Sequence, residues 1–176
     1  MVSRKPLKSL DRLSALSDIY GAIKREDESD MPKEMKAIYC GVFIDKDSAR
    51  TLSEAQKVKL SKPIQNMHCT FVFRPSRADE IAFNNAIGTY TKLKVIAYGN
   101  SGENSGFMVE IPDNLKHLYK GCANPHITVS IADNGRAVNT GYIDFNAIEP
   151  FYVCGTLGIY YDTGIVKTSK NILKTT

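Results

Sequence analysis

Several common carriers of protein chemistry are missing from this chain. No apolar run approaches the length of a bilayer-spanning helix, which excludes a helical membrane protein. The four cysteines, Cys40, Cys69, Cys122 and Cys154, are scattered singly with no C-x-x-C pair, so reduced, buried thiols are expected. The glycines of Gly99-Asn100-Ser101-Gly102-Glu103 lead to neither a lysine nor a helix start, so they are no phosphate cradle. There is no serine nucleophile elbow, no carboxylate pair and no low-complexity region. Charge of one sign is scarce too: a formal +4 favours anionic ligands slightly but is too mild for a dedicated nucleic-acid wrapper. Histidine occurs only three times.

What remains is the material of a soluble globular protein, 43% apolar and 24% charged over 176 residues, enough for one domain with a real core. Residues 7–23 carry Leu7, Leu10, Leu13, Ile19, Tyr20 and Ile23 at helical spacing. A mixed-charge run, Lys24 to Asp30, and then Met31-Pro32 follow, so residues 1–35 are expected to be a helix and linker appended to a domain over 36–176. The basic N-terminus precedes this amphipathic stretch and not an apolar signal core, which points to the cytoplasm. The domain is expected to open with a strand over Ala37–Ile44. Asp45 or Asp47 then caps a helix through Ala55, and Ser76 with Asp79 starts a second helix that Gly88 ends. Strands at 93–98 and 106–111 make a hairpin with a long loop, residues 113–121 a short helix, and a β-rich section covers 142–145, 151–161 and 164–167. Strands with short helices between them predict an antiparallel-dominated α+β fold.

Two of the three histidines share a pattern. Met67-His68-Cys69-Thr70-Phe71-Val72-Phe73 and Pro125-His126-Ile127-Thr128-Val129-Ser130-Ile131 are strand-like runs, each holding His-x-Thr. Alternation along a strand puts each His and its Thr on one face, about 6.6 Å apart. Each pair sets an imidazole, able to move a proton near neutral pH, beside a hydroxyl donor. Two such pairs across a cleft suit acid–base chemistry on a phosphodiester. His117 lacks this company and reads as a helix-surface residue. A zinc site from His68, Cys69, Cys122 and His126 is not expected, because strand neighbours His68 and Cys69 point to opposite faces.

Over residues 36–167 the paired motifs resemble those of the 2H phosphoesterase (LigT-like) superfamily. The resemblance implies a bilobal α+β fold: two antiparallel-dominated sheets with flanking helices around a central cleft, one His-x-Thr strand per lobe. It also implies catalysis by His68, Thr70, His126 and Thr128 with no metal and no cofactor. One histidine accepts the proton of the attacking water or hydroxyl, and the other protonates the leaving oxygen. The threonines donate to the non-bridging phosphoryl oxygens. Tyr39 and Tyr160 are the candidates for stacking on a base. Arg136 reads as a solvent-facing arginine.

The expected function is thus a metal-independent phosphodiesterase acting on a cyclic oligonucleotide or a 2′,3′-cyclic phosphate. The absence of a ligase or kinase module leans this toward cyclic oligonucleotide signals, as degraded by related phage enzymes that disarm bacterial defence, in which case the host cytoplasm is the site of action. The alternatives are an RNA-end 2′,3′-cyclic phosphodiesterase of RNA repair or tRNA processing, and a non-catalytic RNA- or nucleotide-binding module.

Overall fold

Runs of alternating apolar residues make strands, and the computed structural model, which describes residues 35–169, joins them into one antiparallel sheet. The expected N-terminal helix and charged run lie outside the described residues. β1 (Ala37–Ile44) ends at Asp45, whose carboxylate accepts the Ser48 N–H at 2.8 Å and so caps helix α1 (Lys46–Ala55). The two-residue β2 (Lys62–Pro63) precedes β3 (His68–Phe73). Ser76 and Asp79 then form a reciprocal capping box on helix α2 (Arg77–Ala86). Gly88 breaks the chain away from that helix with φ +85°, a conformation that costs a residue without Cβ little.

β4 (Tyr90–Asn100) and β5 (Asn104–Glu110) form the expected hairpin, but its loop is short. Three residues make the tip, because Asn100 Oδ1 accepts the Gly102 N–H at 2.9 Å and Ser101 Oγ the Asn104 N–H at 3.0 Å. A 3-10 helix (Asp113–Leu118), β6 (His126–Ile131) and a second 3-10 helix (Ala137–Tyr142) follow, then β7 (Phe145–Tyr161) and β8 (Val166–Lys167). Tyr142 therefore ends a helical turn and does not begin a strand. β7 also runs straight through Pro150, where the sequence suggests a break. The register jumps there from Val95↔Phe151 to Ala97↔Ala147, so residues 148–150 bulge opposite Ile96 and the missing proline N–H leaves no ladder bond unmade.

Hydrogen bonding is continuous along the order β2-β6-β5-β4-β7-β1-β3, with β8 also on β7, so one eight-stranded sheet replaces the two expected. The α+β class with antiparallel pairing holds. The β4–β7 pairing is the seam, and β3 and β6 each lie third out from it on opposite sides. Laid flat, the sheet would hold β3 and β6 about 24 Å apart, five strand spacings. They touch instead. The reason is covalent: the two end strands of the path, β2 on β6 and β3 on β1, are consecutive in the chain, joined only through Ile64–Met67. Further ties hold the edges together. The Lys120 N–H donates to Phe71 O at 2.9 Å, and Tyr119 packs edge-on against Phe71 with centroids 5.4 Å apart.

The registers divide the sheet into two faces. Cys69, Phe71, Val42, Leu157, Val153, Leu93, Val95, Val109 and Ile127 lie on one, each at most 2% exposed. Phe83 of α2 meets Phe71 there at 6.1 Å, edge to face. The other face carries the histidines.

Candidate active site

His68 opens β3 and His126 opens β6, so each imidazole stands where a loop enters a strand. The register row His68↔Phe43↔Thr156↔Tyr90 runs from β3 to β4, and Met108↔His126 continues the same face onto β6. Both His-x-Thr pairs thus share one side of the sheet. The closing of β3 on β6 brings the imidazoles within electrostatic range: burial is what chiefly holds His68 below its ordinary value, and a charge on His126 adds a smaller push the same way.

The two rings are held by the same device. His68 Nδ1 lies 2.9 Å from the backbone oxygen of Asn66, and His126 Nδ1 lies 2.9 Å from that of Asn124. A carbonyl can only accept, so each Nδ1 carries a proton and each neutral ring presents its Nε2 lone pair to the site. Burial lowers both histidines' pKa values from 6.5, and the bond to the carbonyl opposes the shift in each. The sequence carries a signal for this beyond the His-x-Thr pairs, Asn-x-His-x-Thr at 66–70 and again at 124–128.

The walls differ. On the β3 side an aromatic stack backs His68: Tyr39 lies on it at 4.5 Å between centroids and 19° between planes, and Tyr160 lies on Tyr39 at 4.9 Å and 15°. Phe43 stands 5.9 Å from both Tyr39 and His68. Burial, with Tyr160 beside it, pushes the Tyr39 hydroxyl up to about 12, so it stays protonated. Tyr39 was expected to stack on a base, but both faces of its ring are taken by these neighbours. Tyr160 ends the stack. Thr70 is half-buried and gives its hydroxyl to no protein acceptor among the described residues.

On the β6 side the 137–142 turn covers the motif. Thr128 is 8% exposed and donates its hydroxyl proton to Thr140 Oγ1 at 2.9 Å, with Ala137 O 3.3 Å away as the alternative acceptor. Buried Asn104 fixes the same turn, its Nδ2 donating to Thr140 Oγ1 at 2.9 Å and to Arg136 O at 2.7 Å. Asn124 Nδ2 reaches Gly141 O at 3.2 Å. Gly141 is required by close approach: a Cβ there would stand 2.7 Å from His126 Cε1 and 2.7 Å from Cys122 Sγ. The Cys122 thiol donates to Asn124 O at 3.1 Å, sharing the carbonyl that holds His126, and its sulfur lies 3.6 Å from Nδ1.

The expected phosphate donor Thr128 is therefore occupied by the protein, and Arg136 is exposed at the start of the turn. Cys69 faces the core, where its sulfur receives the His126 backbone N–H and burial raises its thiol to about 12. Among the described residues no group of His, Cys, Asp and Glu gathers as a metal cluster, and none of the helices is long and apolar enough to cross a membrane. Neither a protein-family model nor a curated protein matches this chain.

Proposed function

We propose that this chain is a phosphodiesterase of the 2H type, using His68 and His126 as an acid–base pair on a ribonucleotide phosphodiester. The single observation that carries this is the matched pair of imidazoles: two histidines at equivalent strands about a sheet seam, each with Nδ1 tied to the carbonyl two residues before it. On this reading the halves β7-β1-β3 and β4-β5-β6 are the two lobes, folded about the β4–β7 seam. A phosphoryl group between the Nε2 atoms meets a base on one side and an acid on the other, and roles follow from which ring is protonated. Thr70 donates to a non-bridging oxygen, where negative charge grows. Thr128 serves there only after yielding its bond to Thr140, and otherwise holds the wall behind His126. Tyr160, at the end of its stack, is the partner for a base. No step calls for a metal or cofactor.

The substrate is a 2′,3′-cyclic phosphate at an RNA end or a cyclic oligonucleotide. Purified protein in EDTA is to be incubated with 2′,3′-cyclic mononucleotides, a short RNA ending in a cyclic phosphate, and cyclic di- and trinucleotides, with products read by mass spectrometry. Turnover lost in both His68→Ala and His126→Ala is the expected result. Turnover that survives either change, or no turnover of any member by a folded protein that still binds them, replaces this reading with a nucleotide-binding module.

A further inference from the structure

The face that carries the histidines continues across the seam to one wall of a groove of about 690 Å³, formed by Lys92, Lys94, Glu110 and Tyr152, and the groove also takes in Asp113 and Lys116 of the first 3-10 helix. Building on the phosphodiesterase reading, we propose that this groove is a subsite for a further nucleotide of the same substrate chain. Lys92 and Lys94 take its phosphate and Tyr152 stacks on its base.

The registers place the groove. Tyr90 shares a row with His68, three strand spacings or about 14 Å away along the sheet, and Lys92 and Lys94 follow on the same face. From the other side, Glu110 pairs with Lys94 and lies two residues from Met108, the partner of His126. The wall formed by Lys92, Lys94, Glu110 and Tyr152 is therefore reached from both histidines along one face of the sheet. A mononucleotide bound at the imidazoles does not span that distance, whereas the next nucleotides of a longer chain do.

The chemistry of the groove fits a nucleotide better than a merely solvated face. Lys92 has no carboxylate partner among the described residues, whereas Lys94 pairs with Glu110 at 3.7 Å and Lys116 with Asp113 at 2.5 Å, so Lys92 is the cation most open to a phosphate. Tyr152 sits directly across from Lys94 and stays 62% exposed. A large ring left in water beside two lysines is the pairing that holds single-stranded nucleic acid, by stacking and backbone charge together. The intervening residues Leu93, Val95 and Val153 are fully buried on the opposite face, so the strand holds these side chains to the open side.

The test measures binding and turnover together. A labelled RNA tetramer ending in a 3′-phosphate is titrated by fluorescence anisotropy at several salt concentrations against wild type, Lys92→Ala/Lys94→Ala and Tyr152→Ala. The expected result is a weakening of at least tenfold in the double variant, with a shallower dependence on salt, and of about fivefold or more in Tyr152→Ala. In turnover, the ratio of kcat/KM for a tetramer with a 2′,3′-cyclic end over that for a cyclic mononucleotide falls at least tenfold. A cyclic trinucleotide run alongside shows which chain form fills the groove, and a loss on either supports the subsite. Lys92→Arg/Lys94→Arg, which keeps the charge, restores most of the affinity. Binding within twofold of wild type in both alanine variants, or an unchanged ratio, overturns the subsite while leaving the two-histidine reading intact. Lys92-dependent binding without turnover in wild type does the reverse.

Discussion

The two histidine half-sites begin from the same five-residue pattern and end in different surroundings. His68 rests against an aromatic stack with an uncommitted threonine beside it, whereas His126 is enclosed by the 137–142 turn and a threonine bonded inward. The shared part is backbone geometry, a carbonyl two residues upstream of a strand's first side chain, and it sets the tautomer. The different part is side-chain packing, and it sets what each threonine can do. Equivalent position in a fold thus fixes a proton's place without fixing a neighbour's role.

The comparison breaks most severely if either imidazole is removed. On the proposed two-histidine mechanism, His68→Ala and His126→Ala are each expected to lose roughly 10²–10⁴-fold in kcat, and the double variant little more, because one member of such a pair would be of small use alone. Product assays on all three proteins check this. A smaller effect separates the walls: Gly141→Ala forces a methyl against His126 and Cys122, and a misplaced ring of this kind is expected to lower kcat about a hundredfold while KM changes less. Thr70→Ala and Thr128→Ala then sharpen the contrast. The first lowers kcat about tenfold or more with unchanged urea stability. The second costs about 1 kcal/mol of stability and changes kcat less than the first, since it removes an inward hydrogen bond.

The pH dependence treats the half-sites alike. Both histidines titrate below 6.5 in the folded protein, so near pH 7 both are neutral and the acid is the scarce partner. The profile of kcat/KM is expected to rise as pH falls from 8, peak on the acid side of 6.5, and fall again once both rings are charged. The unfolded chain takes up these protons more readily, so the stability that neutral histidines contribute is present above 6.5 and is lost as pH falls through the folded values. Denaturant midpoints measured from pH 7.5 to 5 check the sign. The least effect is expected from Tyr39→Phe, whose hydroxyl stands 3.4 Å from His68 Nδ1, long for a hydrogen bond; the stack survives and activity changes less than threefold.

Local chemistry made part of this legible in advance. The bounds of β1, the Asp45 cap, the Ser76–Asp79 capping box and the turn at Gly88 all follow from residues within a few positions of one another. The unbroken sheet was not legible, because it depends on β4 finding β7 across residues 101–144, and on a bulge that lets Pro150 sit inside a strand. In the candidate site, His68, Thr70, His126 and Thr128 declare themselves by alternation, and the repeated asparagines were there to be read. Thr140, Gly141 and Asn104 were not, since a turn folded over a strand leaves no periodicity. The occupied faces of Tyr39 come from neighbours on two other strands, and only registers reveal them.

The short link Ile64–Met67 has a consequence for how the protein comes into being. Residues 62–73 must lie on β6 at one end and on β1 at the other, so they cannot settle until both distant ends of the sheet exist. Contacts between such remote parts of a chain form slowly, after local hairpins and helices. His68 sits at the end of that link. The two imidazoles are therefore expected to meet only when β3 closes on β6, and on the two-histidine reading the recovery of turnover during refolding is expected to lag behind the recovery of secondary structure.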